Sequence, residues 1–361
     1  MAGTKITRRR KRRELAAPIR KASPHPSIRA PQVRLGLCCQ FVNQPIRFRT
    51  TTATNLMRMT LTDRLIKLSQ LCLANAESLL ESLKYCDANG IGCFRISSTI
   101  LPIKTHPIVG YSVEDLPDAD LIIESFRKCG QFAAECQIRT VFHPDQFVVL
   151  NSPRADVVAK SIQDLEYHAE VSGWVNADVI NIHGGGGYGD KSAAISAFVR
   201  NLQRLSPAVR SRLTVENDDK VFTPSDLLPI CLGEGLPFVY DVHHHRCLPD
   251  KLTIEQVTIS AIQTWDREPL FHLSSPREGW AGTRPSRHHD YIDVADFPTC
   301  WRDLNVTVEV EAKAKERAIE RLQEYLKGQR RRSAKNRDDF VEKTIQLTRA
   351  KFRKVHINYE I

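Results

Sequence analysis

The chain has 361 residues, 42% of them hydrophobic, and a formal net charge of +10. That is enough apolar material for a large core, yet no apolar run approaches the roughly 18 uncharged residues that a membrane-crossing helix needs. Ten scattered cysteines without a C-x-x-C pair argue against both a zinc knuckle and a secreted disulfide framework, so a reducing compartment is expected.

In chain order, residues 1–34 come first and carry eleven Lys/Arg against one acid, with Pro18, Pro24, Pro26 and Pro31 among them. This reads as a basic extended arm over 1–33, lacking the apolar stretch of a secretory signal. Its Arg-rich, acid-poor character suits a nuclear or mitochondrial address in a eukaryote; the bacterial counterpart is the cytoplasm or nucleoid. From Arg34 onward one rhythm recurs eight times: a short apolar run ending in polar residues, then a longer segment of helical periodicity. The expected strands cover 34–40, 91–97, 139–145, 179–184, 213–218, 237–243, 270–274 and 306–311. Helices are expected over 63–88 and 314–326, and after the start signals Ser152-Pro153, Asp190 and Thr223-Pro224. Alternating β and α units imply a parallel sheet, and eight of them favour closure into a single (β/α)8 TIM barrel over 34–326, although an open doubly wound sheet uses the same alternation. A basic tail over 327–361 ends the chain; its residues 327–354 hold eleven Lys/Arg against three acids, and a helix is expected over 338–352. The body between the two ends is therefore acidic by about eight charges, a balance that fits a cation-binding enzyme gripping a polyanion.

The chemistry gathers where the expected strands end. Strand three ends in Phe142-His143-Pro144-Asp145, strand four in Asn181-Ile182-His183, and strand five in Val215-Glu216-Asn217-Asp218. Strand six ends in Asp241-Val242-His243-His244-His245, strand seven offers Phe271-His272, and strand eight offers Val308-Glu309-Val310-Glu311. In a (β/α)8 barrel these ends form the mouth where active sites are built. One strand-borne histidine is more often a satisfied core residue. Six successive strands delivering imidazoles or carboxylates to one rim would be costly without a metal or substrate. Imidazole and carboxylate without thiolate suit Zn²⁺ or Mn²⁺, and at least seven ligands imply two or three ions with Glu216 able to bridge a pair. Such sites stabilise the attacking and leaving oxygens of phosphoryl displacement, which makes phosphodiester hydrolysis the expected reaction. The glycine run 184–187 reads either as a close approach for phosphate or as a flexible loop.

On these residues the chain resembles the UV damage endonuclease family. The motifs that carry the resemblance are Arg34-Leu35-Gly36-Leu37-Cys38-Cys39, Phe94-Arg95-Ile96-Ser97, His143-Pro144-Asp145-Gln146-Phe147, His183-Gly184-Gly185-Gly186, Glu216-Asn217-Asp218, Asp241-Val242-His243-His244, Phe271-His272-Leu273-Ser274-Ser275 and the segment from Val310 to Glu316. They occur in order across the expected barrel. The resemblance implies a nuclease similar in fold to endonuclease IV that binds three divalent ions, Mn²⁺ first, with Zn²⁺ or Mg²⁺ as alternatives. It implies His143, His183 and Glu216 as one metal group and Glu216, Asp241, His272 and Glu311 as a second. His244 and His288 are the implied ligands of the third ion, His289 being the rival register for His288. Gln146 and Phe147 match the pair that probes the damaged strand, and Arg95 and Lys313 are expected to anchor phosphates. Two departures stand out: Leu270, where some relatives have a modified lysine, and Leu37 with Phe41, where some have Tyr and Asn. His243 and His245 receive no role.

The implied activity is repair of double-stranded DNA by nicking immediately 5′ of UV photoproducts (cyclobutane dimers and 6-4 photoproducts), with abasic sites as a further candidate substrate. A hydroxide generated at the ions would attack phosphorus and leave 3′-hydroxyl and 5′-phosphate ends, with Glu216, His143 and Asp241 as the catalytic core. The rivals are an endonuclease IV-like abasic-site nuclease, a metal-dependent barrel sugar isomerase and a DNA-binding protein that does not cut. No membrane or obligate protein partner is expected, and a monomer suffices.

Overall fold

The computed structural model describes residues 33–330. The expected helix over 338–352, the arm up to residue 32 and the tail beyond residue 330 lie outside the described residues. Eight parallel strands pair in chain order and close, β8 meeting β1: β1 (Val33–Cys38), β2 (Cys93–Ile96), β3 (Arg139–Phe142), β4 (Val179–His183), β5 (Leu213–Glu216), β6 (Phe238–Asp241), β7 (Leu270–Leu273) and β8 (Val306–Val310). Helices α1 (Ala53–Met57) and α2 (Leu61–Ala88) follow β1, α3 (Ala119–Glu135) follows β2 and α4 (Ala155–Val175) follows β3. Then α5 (Lys191–Leu202) and α6 (Pro207–Arg210) follow β4, α7 (Pro224–Glu234) follows β5, α8 (Val242–Cys247) and α9 (Ile254–Ile262) follow β6, and α10 (Glu316–Arg330) follows β8. This is the TIM barrel that the alternation implied.

Two of the start signals cap their helices, whereas Ser152-Pro153 precedes α4 by a residue and the N-cap there, Arg154, makes no side-chain cap hydrogen bond. Asp190 accepts the Ala193 N–H at 2.9 Å to cap α5, and Thr223 and Asp226 form a reciprocal capping box on α7. Each strand alternates its side chains between two environments. Phe94, Phe142, Ile180, Val215, Tyr240, Phe271 and Val308 join the large core shared with the helices, whereas Cys93, Val141, Val179, Val239 and Leu270 form a separate apolar layer inside the barrel. That inner layer is the floor on which the polar residues two positions further along each strand stand.

Three expectations shift by local chemistry. The expected strand three reaches Asp145 but the observed one stops at Phe142, since Pro144 has no N–H for the ladder and Asp145 turns the chain by accepting the Phe147 N–H at 3.0 Å. The expected strand six reaches His243 but the observed one stops at Asp241, whose carboxylate accepts the His244 N–H at 2.7 Å and starts α8 at once. The third concerns the β7–β8 connection, which holds only two short 3-10 turns, Val294–Asp296 and Thr299–Trp301, instead of a crossover α-helix. Trp301 covers the barrel there: fully buried, it packs on Phe271 at 5.0 Å and Tyr240 at 5.9 Å and donates its indole N–H to the Thr258 hydroxyl at 2.8 Å. Replacing it by Ala would cost about 3–5 kcal/mol.

Candidate metal centre

Inside the barrel the residues two positions beyond the apolar floor are Arg95, His143, Asn181, Asp241 and His272, all placed on the interior face by strand alternation. Thr214 and Glu216 on β5 and Glu309 and Glu311 at the end of β8 continue the pattern. Glu216 is the hub. Fully buried, it lies opposite His183 in the β4–β5 register, with Oε2 3.1 Å from His143 Nε2 and Oε1 3.1 Å from His272 Nδ1 and 3.3 Å from His244 Nδ1. The Asn181 amide donates to Oε2, and Asn181 is itself fixed by the Thr214 hydroxyl at 2.9 Å.

Three overlapping groups of potential ligands result: His143, His183 and Glu216; Glu216, Asp241 and His244; and His143, His272 and Glu311. The first coincides with the group the resemblance implied. Asp241 stands with Glu216 and His244, while His272 and Glu311 stand with His143. Asn217 locks the Asp241 backbone by two hydrogen bonds, of 2.9 and 3.0 Å, and its carbonyl lies 2.9 Å from His244 Nδ1. His288 Nδ1 is 3.7 Å from Glu311 Oε2, whereas His289 Nδ1 accepts the Tyr291 N–H at 2.9 Å within its own loop. Of the two registers, His288 is the one that faces the cluster.

Burial would raise the Glu216 carboxyl, but the surrounding His272, His183, His143 and His244 outweigh it and hold it well below the ordinary carboxylate range. For His272 burial is likewise outweighed, here by Glu216, and the imidazole is pushed up to about 10. For His183 burial prevails and lowers the imidazole below its ordinary value. Glu216 Oε1, Asp241 Oδ2 and His183 Nδ1 are buried without a hydrogen-bond partner, atoms whose desolvation is normally offset by a ligand. Orphaned carboxylate and imidazole atoms converging in shared groups, with no thiol among them, fit divalent cations.

Arg95 is turned into the cluster, its Nη2 2.9 Å from His272 Nε2. It is 8% exposed, and its guanidinium donates to Glu309 at 2.9 Å and Glu311 at 2.6 Å. Lys313 is exposed, its backbone N–H donating to the His289 carbonyl at 3.1 Å. Gln146 is exposed beside Phe147, whose ring is 76% exposed at the rim. Leu37 and Phe41 are buried in the outer core, Phe41 edge-on to Tyr85 at 5.1 Å. Leu270 belongs to the apolar floor beneath His272. Asn181, Asn217 and Glu309 stand in the strand-end motifs without a role, and Thr214 stands outside them. The signal is present for Asn181, Thr214 and Glu309, since each lies two residues before a candidate ligand on its strand and so shares its face.

The family model for UV-endonuclease UvdE matches residues 33–337. The chain belongs to the UV-endonuclease UvdE family. Curated relatives in this family include the UV DNA damage endonuclease of Bacillus velezensis, 35% identical over 291 residues, which span 77% of this chain and 88% of the relative. The UV-damage endonuclease of Neurospora crassa is 36% identical over 277 residues, 72% of this chain and 41% of that protein. Among solved structures, SacUVDE superposes with a TM-score of 0.74 at 27% identity, covering 83% of this chain and 99% of that one. Endonuclease IV from Thermus thermophilus, with a TM-score of 0.52 at 15% identity over 81% of this chain and 97% of that one, shares the fold. As a UvdE-family member the protein is a DNA repair endonuclease. No helix among its described residues is long and apolar enough to cross a membrane.

Proposed function

We propose that the chain nicks double-stranded DNA immediately 5′ of UV photoproducts by hydrolysis, leaving 3′-hydroxyl and 5′-phosphate ends, with three divalent ions, Mn²⁺ first, as its cofactors. The observation that carries this reading is the sharing of Glu216 and His143 among three ligand groups in one buried cluster. His143, His183, Glu216, Asp241, His244, His272, His288 and Glu311 would hold the ions. Ions bound there would lower the pKa of a water toward neutrality and neutralise charge developing on the phosphate.

The chain's own residues prepare that chemistry. Asn181, oriented by Thr214, fixes the carboxylate plane of Glu216. Asn217 holds Asp241 at the end of β6 so that Oδ1 caps α8 and Oδ2 is left for the cluster. Arg95 holds Glu311 and balances the buried charge of Glu309, whose carboxyl it helps keep at about 2 against the upward push of burial. Around the mouth, Gln146 and Phe147 insert where photodamage has weakened stacking, since unstacking is cheapest at a distorted step. Lys313 and the basic ends of the chain supply phosphate contacts.

The test is a nicking assay on supercoiled plasmid that is UV-irradiated, undamaged or depurinated, with and without chelator. Chelator-sensitive cutting of the irradiated plasmid is expected. Cutting confined to depurinated plasmid would replace this reading by an abasic-site nuclease.

A further inference from the structure

The glycine run after His183 is held in place by a neighbouring connection. Gly185 adopts φ +90°, and a Cβ there would collide with the Asn151 side chain. Asn151 is 2% exposed and grips the next residue at both ends, donating to the Gly186 carbonyl at 2.8 Å and accepting the Gly186 N–H at 3.2 Å. A Cβ on Gly186 would stand 2.8 Å from the ring of Tyr188, so the absence of a side chain there lets the hydroxyl end of the ring sit against the backbone. The run is a fitted seat, held by a buried amide from the neighbouring β3–α4 connection.

What it seats is unusual. Tyr188 has φ +48°, a left-handed conformation that bulky residues avoid, and it remains 52% exposed. Its hydroxyl makes no hydrogen bond among the described residues. A glycine would take this backbone without strain, and Gly189, the next residue, does so at φ +83°. An aromatic ring kept in a strained, half-exposed position contributes little to folding, and such residues concentrate at functional sites.

We propose that Tyr188 is a stacking platform for a nucleobase of the DNA strand, a second aromatic contact at the mouth beside Phe147. The inference rests on the reading that the mouth takes DNA. Phe147 projects from the β3–α4 connection and Tyr188 from the β4–α5 connection, and Asn151 ties the two connections together, so a strand crossing the mouth meets both rings. A base face stacks on an aromatic ring whatever its sequence, so Tyr188 contributes affinity for the strand and leaves lesion choice to Gln146 and Phe147. Tyr188 acts in binding, and the hydrolytic residues are untouched by its loss.

The full-length protein is titrated with a fluorescent duplex, intact or carrying a photodimer, and compared with Tyr188→Phe, Tyr188→Gly and Gly186→Ala in binding, steady-state nicking and thermal unfolding. Tyr188→Gly is expected to weaken binding of both duplexes and raise KM about tenfold, with kcat unchanged and a thermal midpoint no lower than that of the parent, because strain is relieved. Tyr188→Phe keeps the ring and should bind like the parent. Gly186→Ala displaces the ring and should lose affinity although the tyrosine is present. Parent-like binding by Tyr188→Gly, or a loss of affinity matched by a lower thermal midpoint, would overturn the proposal. Failure of the unmodified protein to bind or nick either duplex would overturn the DNA reading itself, and this inference with it.

Discussion

Arg95 on β2 donates to Glu311 at the end of β8 at 2.6 Å, across the closure of the barrel. The same guanidinium reaches Glu309 at 2.9 Å, so one cation serves two buried carboxylates. Removing it leaves Glu309 with only His272, at 2.8 Å, and Glu311 with only the more distant His272 and His288, and breaking a buried pair is strongly destabilising. Arg95→Met should cost about 3 kcal/mol of stability, read as a lowered unfolding midpoint in denaturant. The salt dependence of DNA binding should be unchanged, because a side chain that touches no phosphate releases no counterion. A slope in log K against log salt shallower by about one unit would return Arg95 to the phosphate-anchoring role.

Glu216 sits among four imidazoles and is shared by two of the three ligand groups. Glu216→Gln keeps the shape and removes the charge, so nicking should fall below detection and the divalent-ion content by elemental analysis should drop, with circular dichroism unchanged. Asn181→Ala frees the carboxylate to rotate and should lower metal affinity or nicking by about ten- to a hundredfold. Full activity with full ion content in the Glu216 variant would remove it from the centre.

His288 and His289 are adjacent but face different partners, Glu311 for one and the Tyr291 backbone for the other. His288→Ala should reduce bound divalent ion and activity together. His289→Ala should leave ion content at the parent level while loosening the loop, seen as faster proteolysis near Tyr291. The reverse pattern would exchange the two assignments.

Phe147 is too exposed to stabilise the fold. Phe147→Ala should therefore unfold at the parent temperature but lose preference for irradiated over undamaged plasmid, measured as the ratio of their nicking rates. An unchanged ratio would make the ring incidental.

His168 on α4 is buried against Phe142 and Tyr167, and burial holds its imidazole below the ordinary value with Asp164 opposing only in part. A histidine that takes a proton less readily when folded stabilises the native state above its unfolded value of about 6.5, and that stability is lost as pH falls through it. The gap in thermal midpoint between the parent and His168→Gln should accordingly narrow from about pH 8 to about pH 5. A constant gap would show that His168 does not titrate with folding.

The barrel was legible because its signals are local: apolar runs at βα spacing, Asp190 and Thr223 at helix starts, Pro144 and Asp145 at a strand end. The candidate ligand types were legible for the same reason, since each stands where an apolar run stops. Period-two alternation also held enough information to find Asn181 and Glu309, which share a face with His183 and Glu311. What sequence could not supply was partnership between strands. Whether His143 stands with His183 or with His272, whether Arg95 turns to solvent or to Glu311, and which of His288 and His289 faces inward depend on closure, register and the path of a long connection without a helix. The glycine run is the plainest case: its composition fits several loops, and only Asn151, from another connection, makes it a seat for Tyr188. Residue chemistry and its periodicity are written along the chain, but the distances between residues far apart in sequence are set by the packing of the whole barrel, and the function of the mouth depends on those distances.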